Sequence, residues 1–254
     1  MTMIDLRLGW AGRVAVGLWA AAMLAAPVHA QMAPESMVAP KDSAIPRAGA
    51  NFEGVWKIAK PRSTLQPAEA IPFTPAGRKE YDENKAYRAK GDYDDYDIYT
   101  SRCSNPGVPR LGLTPLRFKI WQRQGVLTFV YEWNRAQRQI DMRGIDTPPL
   151  DAPTMTGRSI GRWDGATLVA TTTDGSERAL LDDLTPRSFD AKIIERFRLV
   201  DHDTLEDRIT VEDPAYYTHP WGGVITYKRQ PAAMFPEDVC LDRLKSYDAI
   251  LAGK

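Results

Sequence analysis

Apolar and polar positions alternate along this chain with two different periods, and the change between them divides it. "FEGVWKI", residues 52–58, sets Phe52, Val55, Trp56 and Ile58 among polar neighbours and predicts a first strand. Thr74 as a cap, Pro75 in the first turn and Gly91 as a stop then predict a helix over 75–90. Its mostly polar interior makes it a surface helix, packed through Tyr81 and Tyr87. From Phe118 the pattern becomes one of short strands parted by turn residues: 117–123, 125–133, 137–143, 158–163, 167–173, 192–199, 205–212 and 223–229. A closing helix after Pro236 would carry Leu241, Leu244 and Tyr247. The pattern is mainly β. It predicts a single antiparallel β-barrel of about eight strands with one or two flanking helices, occupying 51–254.

The start of the chain reads differently. Arg7 and Arg13 precede an apolar run from Val14 to Pro27 and a small-residue stretch, Val28-His29-Ala30, which together predict a signal peptide over 1–30. Residues 31–50, rich in Pro, Ala and Ser, read as a flexible leader. The expected location is therefore periplasmic or secreted. No stretch is long and apolar enough to predict stable membrane insertion. Removing Asp5, Arg7 and Arg13 from 33 basic and 33 acidic side chains leaves 31 and 32. That balance excludes the basic face that nucleic acid requires.

Export changes the reading of the cysteines. Cys103 and Cys240 are the only two, and in an oxidising compartment they are expected to form a disulfide. Closing so long a loop is worth about 4–5 kcal/mol in the chain-entropy account. Two cysteines without a histidine cluster do not make a zinc site, and no other spacing suggests a metal. No glycine-rich phosphate loop or dinucleotide fingerprint is present, so no cofactor is expected.

"GRSIGRWDGATLVATTTD", residues 157–174, contains the G-x-S-x-G of a hydrolase nucleophile elbow, with Asp213 and His219 following in the matching order. An elbow needs a helix directly after the serine. Here Asp164-Gly165 turns the chain into "LVATTT", a second strand, so the serine-hydrolase reading is rejected and Gly157 and Gly161 are read as aids to close strand packing.

The same stretch carries a resemblance. With "CSNPGVPR" and the E-x-x-x-x-x-R spacing of Glu132 and Arg138 before it, and "ERFRLVDHDTL", "DPAYYTHPW" and a late cysteine after it, it resembles a family of exported bacterial proteins. Members of that family show G-H-S-x-G-x-W-[DE]-G-[DN]-T-L-V-V-x-T. The resemblance spans residues 51–242 and implies an antiparallel barrel, lipocalin-like in outline, with an interior of unassigned chemistry. The chain departs from the pattern at several polar positions: Arg158 replaces the usual His, Ala166 and Thr171 a common Asp, Arg143 the start of an Asp-Gly-Arg turn, and Asp207 an aromatic residue. These departures imply a specialised pocket and transfer no consensus catalytic residue.

Alternation gives the sharpest chemical signal. Glu195 shares a face with Ile193, Phe197 and Leu199, and Asp207 with Leu205, Ile209 and Val211. A turn centred on His202 sets Phe197 opposite Asp207 with Glu195 diagonal to it, so both carboxylates would enter an apolar interior. Burial and mutual proximity raise carboxyl pKa values, which suits a general acid or base. The structural alternative is that Glu195 pairs with an interior arginine, Arg138 or Arg158, and only stabilises the barrel. The loop "EDPAYYTHPWGG" is the second candidate: Tyr216, Tyr217, His219 and Trp221 crowd it, either as proton-transfer and ring-stacking groups or as a packed corner. The expected catalytic residues are Glu195, Asp207, His219 and Tyr217. Glu132, Arg138, Arg158, Trp163, Phe197, Tyr216 and Trp221 are the expected ligand contacts. The aromatic content favours a small hydrophobic or aromatic ligand, acted on by cofactor-free lyase or isomerase chemistry, or merely carried.

Overall fold

The computed structural model describes residues 49–145, 147–230, 235–236 and 238–240. Nine strands close into a barrel in chain order: β1 (Gly54–Ile58), β2 (Arg117–Arg123), β3 (Val126–Tyr131), β4 (Gln137–Asp141), β5 (Arg158–Asp164), β6 (Thr167–Thr173), β7 (Lys192–Asp201), β8 (Thr204–Glu212) and β9 (Trp221–Arg229). The eight expected strands and the first strand are all present, 117–123 and 167–173 with the expected bounds and the others with ends shifted by at most two residues. Between β1 and β2 lie α1 (Pro75–Lys90), two short helices, α2 (Tyr93–Tyr96) and α3 (Ile98–Arg102), and a 3-10 turn, Arg110–Leu113. The helix signals at 75–90 act as read: Thr74 Oγ1 accepts from Gly77 N at 3.1 Å, and Gly91 ends the helix at φ 82°.

The barrel is not wholly antiparallel. Strand direction must reverse an even number of times around a closed ring, so an odd number of strands leaves at least one parallel junction. That junction is β4–β5, joined by only two residue pairs, Ile140↔Ser159 and Asp141↔Ile160. Residues 142–157 supply the long crossover connection that parallel neighbours require.

Inward positions alternate along each strand and fill the interior. Leu127 and Phe129 on β3, Leu168 and Ala170 on β6, Ile193 and Phe197 on β7, Ile209 and Val211 on β8, and Ile225 and Tyr227 on β9 are all buried. The folded body reaches two residues further upstream than expected: Gly49 lies against the Trp163 ring, and Ala50 O accepts from Gln122 Nε2 at 3.1 Å. The Cys103–Cys240 disulfide is formed, across 137 residues of sequence. The signal peptide, the rest of the leader, and Leu241, Leu244 and Tyr247 of the expected closing helix lie outside the described residues. No helix among the described residues is long and apolar enough to cross a membrane.

Candidate functional site

The interior polar group is built by five strands, β4 to β8. The β7–β8 register sets Phe197 opposite Asp207 and Glu195 opposite Ile209, so both carboxyls point inward. Ala170, facing Glu195 across the β6–β7 ladder, is small enough to leave room for it. Arg138 enters from β4, where it pairs with Phe129. Its guanidinium grips Glu195 with both terminal nitrogens, Nη1 donating to Oε1 at 3.0 Å and Nη2 to Oε2. Its remaining donors go to Ser159 Oγ at 3.2 Å and Thr172 Oγ1 at 2.9 Å, and those two hydroxyls bond each other at 2.8 Å. All five side chains are nearly solvent-free.

Asp207 is the odd member. It is 1% exposed, Oδ1 has no hydrogen-bond partner, and the carboxyl lies close enough to Glu195 to feel its charge. Burial first, and then the Glu195 charge, push its pKa well above the ordinary 3.8, with Arg138 opposing only in part. Two anions against one cation would leave a net buried charge. With the proton on Asp207, the acid donates to Glu195 and the trio is neutral. Burial opposes the Arg138 charge, but Glu195 outweighs it and holds the guanidinium pKa above its ordinary value. Burial also pushes the Tyr131 and Tyr227 phenols upward, so both stay protonated donors.

Aromatic rings surround this trio. Phe118 meets Tyr227 edge-on at 4.9 Å, and Phe129 lies 5.4 Å from Phe197. The segment Val108–Leu113 closes the space above them. Gly112 is needed there, because a Cβ would come within 2.4 Å of the Tyr227 hydroxyl. Arg110 fastens this cap from outside, bonding both oxygens of Asp97 (2.6 and 2.9 Å) and Asp183 Oδ1 at 2.9 Å. The void left between cap and trio is about 10 Å³, room for about one water. A larger ligand has to displace the cap or part the strands. Outside the β4–β5 junction a groove of about 690 Å³, lined by Gln137, Gln139, Asp141, Arg143 and Arg158, reaches down to Ser159.

The structure thus unites Glu195, Asp207, Arg138 and Phe197 and separates the other expected site residues from them. His219 is solvent-exposed and bonds only the adjacent Pro220 carbonyl, at 3.1 Å, so it is no partner for the interior carboxyls. Tyr217 is buried and donates to Pro186 O, between the Phe73 and Trp221 rings at 5.6 and 5.2 Å. With Trp221 it forms the packed corner rather than a ligand clamp. Tyr216 lies half-buried in a separate cleft, beside Arg187. Glu132 receives Arg117 N at 2.8 Å and pairs with the Arg117 side chain, not with Arg138. Arg158 faces outward to Asp174 (2.8 Å) and Thr147 O (2.7 Å), leaving Arg138 as the partner of Glu195. Trp163 lies tilted against Phe52, ring centroids 5.4 Å apart.

Ser159 of the elbow-like stretch is one of the Arg138 acceptors, and Asp213 is engaged by Ser188, so no hydrolase triad exists. Sequence reasoning missed Tyr131, Tyr227, Thr172 and the cap. Both tyrosines could have been found, since Tyr131 shares its face with Phe129 and Tyr227 with Ile225. The cap carries no periodicity to read. No protein-family model and no curated protein sequence matches the chain. No group of three or more potential metal ligands occurs among the described residues.

Proposed function

We propose that this is an exported, periplasmic or secreted protein whose barrel admits a small hydrophobic, aromatic molecule and acts on it by cofactor-free acid–base chemistry of lyase, isomerase or dehydratase type. What supports this reading is the geometry: Asp207, its carboxyl pKa pushed well above the ordinary carboxylate range by burial and by Glu195, lies beside a Glu195 gripped by Arg138 inside a ring-lined space. A carboxylic acid beside a carboxylate is an acid and a base in one site. Asp207 would give its proton to a substrate oxygen or leaving group while Glu195 takes one from carbon or oxygen. Passing that proton from Glu195 to Asp207 along their shared bond restores the starting state, so no external proton or electron is consumed. Arg138 steadies the negative charge throughout. Phe118, Phe129 and Phe197 would flank the aromatic portion once the cap has moved.

The second reading is a carrier that binds such a ligand without turning it over. The engagement of both Glu195 oxygens by Arg138 favours it, because a base so held is a weakened base. The family resemblance at residues 51–242 is compatible with either. The experiment is a mass-spectrometric screen of aromatic metabolites against the protein, followed by the Asp207→Asn variant. Lost turnover with retained affinity supports the enzyme. Binding without conversion in both proteins supports the carrier.

A further inference from the structure

Three arginines are buried among the described residues, and two of them face carboxylates: Arg110 holds Asp97 and Asp183, and Arg138 holds Glu195. Arg187 does not. It is 1% exposed, and its guanidinium has only two long bonds to main-chain carbonyls, Val108 O at 3.5 Å and Ala191 O at 3.3 Å, while Nε has no partner. Asp213 acts on it only through space, because both Asp213 oxygens accept from Ser188, at 2.8 and 2.7 Å. Burial draws the guanidinium down to about 10, still cationic at neutral pH. The group is also pinned, since Gly175 lies so close beneath it that a Cβ there would sit 2.4 Å from Nη1. A fixed, buried cation with free donor capacity thus makes no direct bond to a carboxylate, unlike Arg110 and Arg138.

Arg187 lines a cleft of about 210 Å³ bounded by α1, α2 and the 177–187 segment. Tyr96, Leu180, Pro186 and Tyr216 provide apolar and aromatic walls, and Glu80, Asp95 and Glu177 bring negative charge. Arg178 tempers that acidity but leaves three carboxylates to one exposed cation. The carboxylates are felt inside the cleft: after burial, Glu80 and Glu177 are the main groups raising the Tyr216 pKa. A simple anion would suit Arg187 and be repelled by the acidic side chains. A simple cation would meet the reverse. We propose that this cleft binds a zwitterionic α-amino acid, with its carboxylate on Arg187, its ammonium among Glu80, Asp95 and Glu177, and an apolar side chain against the tyrosine rings. This site is independent of the barrel interior and of whatever chemistry occurs there.

The test is calorimetric titration of the full chain with glycine, leucine and phenylalanine, each beside its amide and its N-acetyl form. At least one free amino acid should bind saturably, and its two capped forms at least about tenfold more weakly, because each has lost one charged contact. Arg187→Gln should abolish binding. Since that change touches a buried residue, Glu177→Gln supplies a second variant at an exposed position: it keeps the acceptor for Phe189 N and should weaken binding about two- to fivefold, with a reduced dependence on salt. No saturable heat from any free amino acid, equal binding of the amide, or full affinity in Glu177→Gln and Arg187→Gln would overturn the proposal.

Discussion

Replacing Asp207 with Asn should make the protein more stable at neutral pH and leave it nearly unchanged near pH 4. The side chain is 1% exposed with an unpartnered oxygen, and burial holds its pKa well above 3.8. A carboxyl ionised in the unfolded chain at pH 7 but protonated in the fold must take up a proton on folding. Each pH unit above 3.8 costs up to about 1.4 kcal/mol, and the cost accumulates until the pH reaches the folded-state pKa. The sign follows from a raised folded-state pKa: the folded form binds the extra proton, the favourable contribution is complete below about pH 4, and stability falls as pH rises through the window up to the folded pKa. Asn has the same shape, stays neutral at every pH and can still donate to Glu195, so it escapes that fall. The variant should be more stable at pH 7, by about 1 kcal/mol or more, roughly 2–4 °C in Tm per kcal/mol for a domain of this size. Urea unfolding followed by circular dichroism at half-unit steps from pH 4 to 8 measures both proteins. Other titrating groups bend the two profiles alike, and their difference isolates Asp207. Parallel profiles would show that Asp207 ionises normally and would remove the neutral acid from the site.

Arg138→Met should destabilise by about 3–5 kcal/mol, because it strands the Glu195 charge, whereas Arg138→Met combined with Glu195→Leu should recover most of that loss; urea midpoints of the single and double variants check it. Reduction should cost up to about 4–5 kcal/mol, since the Cys103–Cys240 link spans 137 residues, and should appear as a lowered Tm only when both thiols become reactive to alkylation.

Alternation of period two made most of the barrel legible before any coordinates. It placed the strands, turned Glu195, Phe197 and Asp207 inward, and through the turn at His202 fixed the register that sets Phe197 against Asp207. The limits have physical causes. Periodicity identifies the face on which a side chain lies but not its height along the barrel, so Arg138 and Arg158 were equal candidates for Glu195, and only the outward turn of Arg158 toward Asp174 separates them. The loop 212–223 is dense in groups capable of chemistry, yet His219 ends in solvent and Tyr217 in a packed corner, because a loop has no period to say which way it points. The cap and the Arg187 cleft depend on contacts between residues far apart in sequence, such as Arg187 and Val108, which no local pattern encodes.

The parity of the strand count reaches beyond topology to motion. Eight junctions of the barrel are antiparallel, several of them long ladders, while the ninth rests on Ile140–Ser159 and Asp141–Ile160 alone. Opening the cylinder there breaks the fewest cross-strand bonds, so transient breathing should concentrate on that seam. Amide hydrogen exchange should then be faster at the seam pairs Ile140–Ser159 and Asp141–Ile160 than at the centres of β7 and β8. What such an opening exposes is Ser159 and, directly behind it, Arg138. The junction of the wall joined by the fewest residue pairs is therefore the one that lies directly against the polar heart of the barrel.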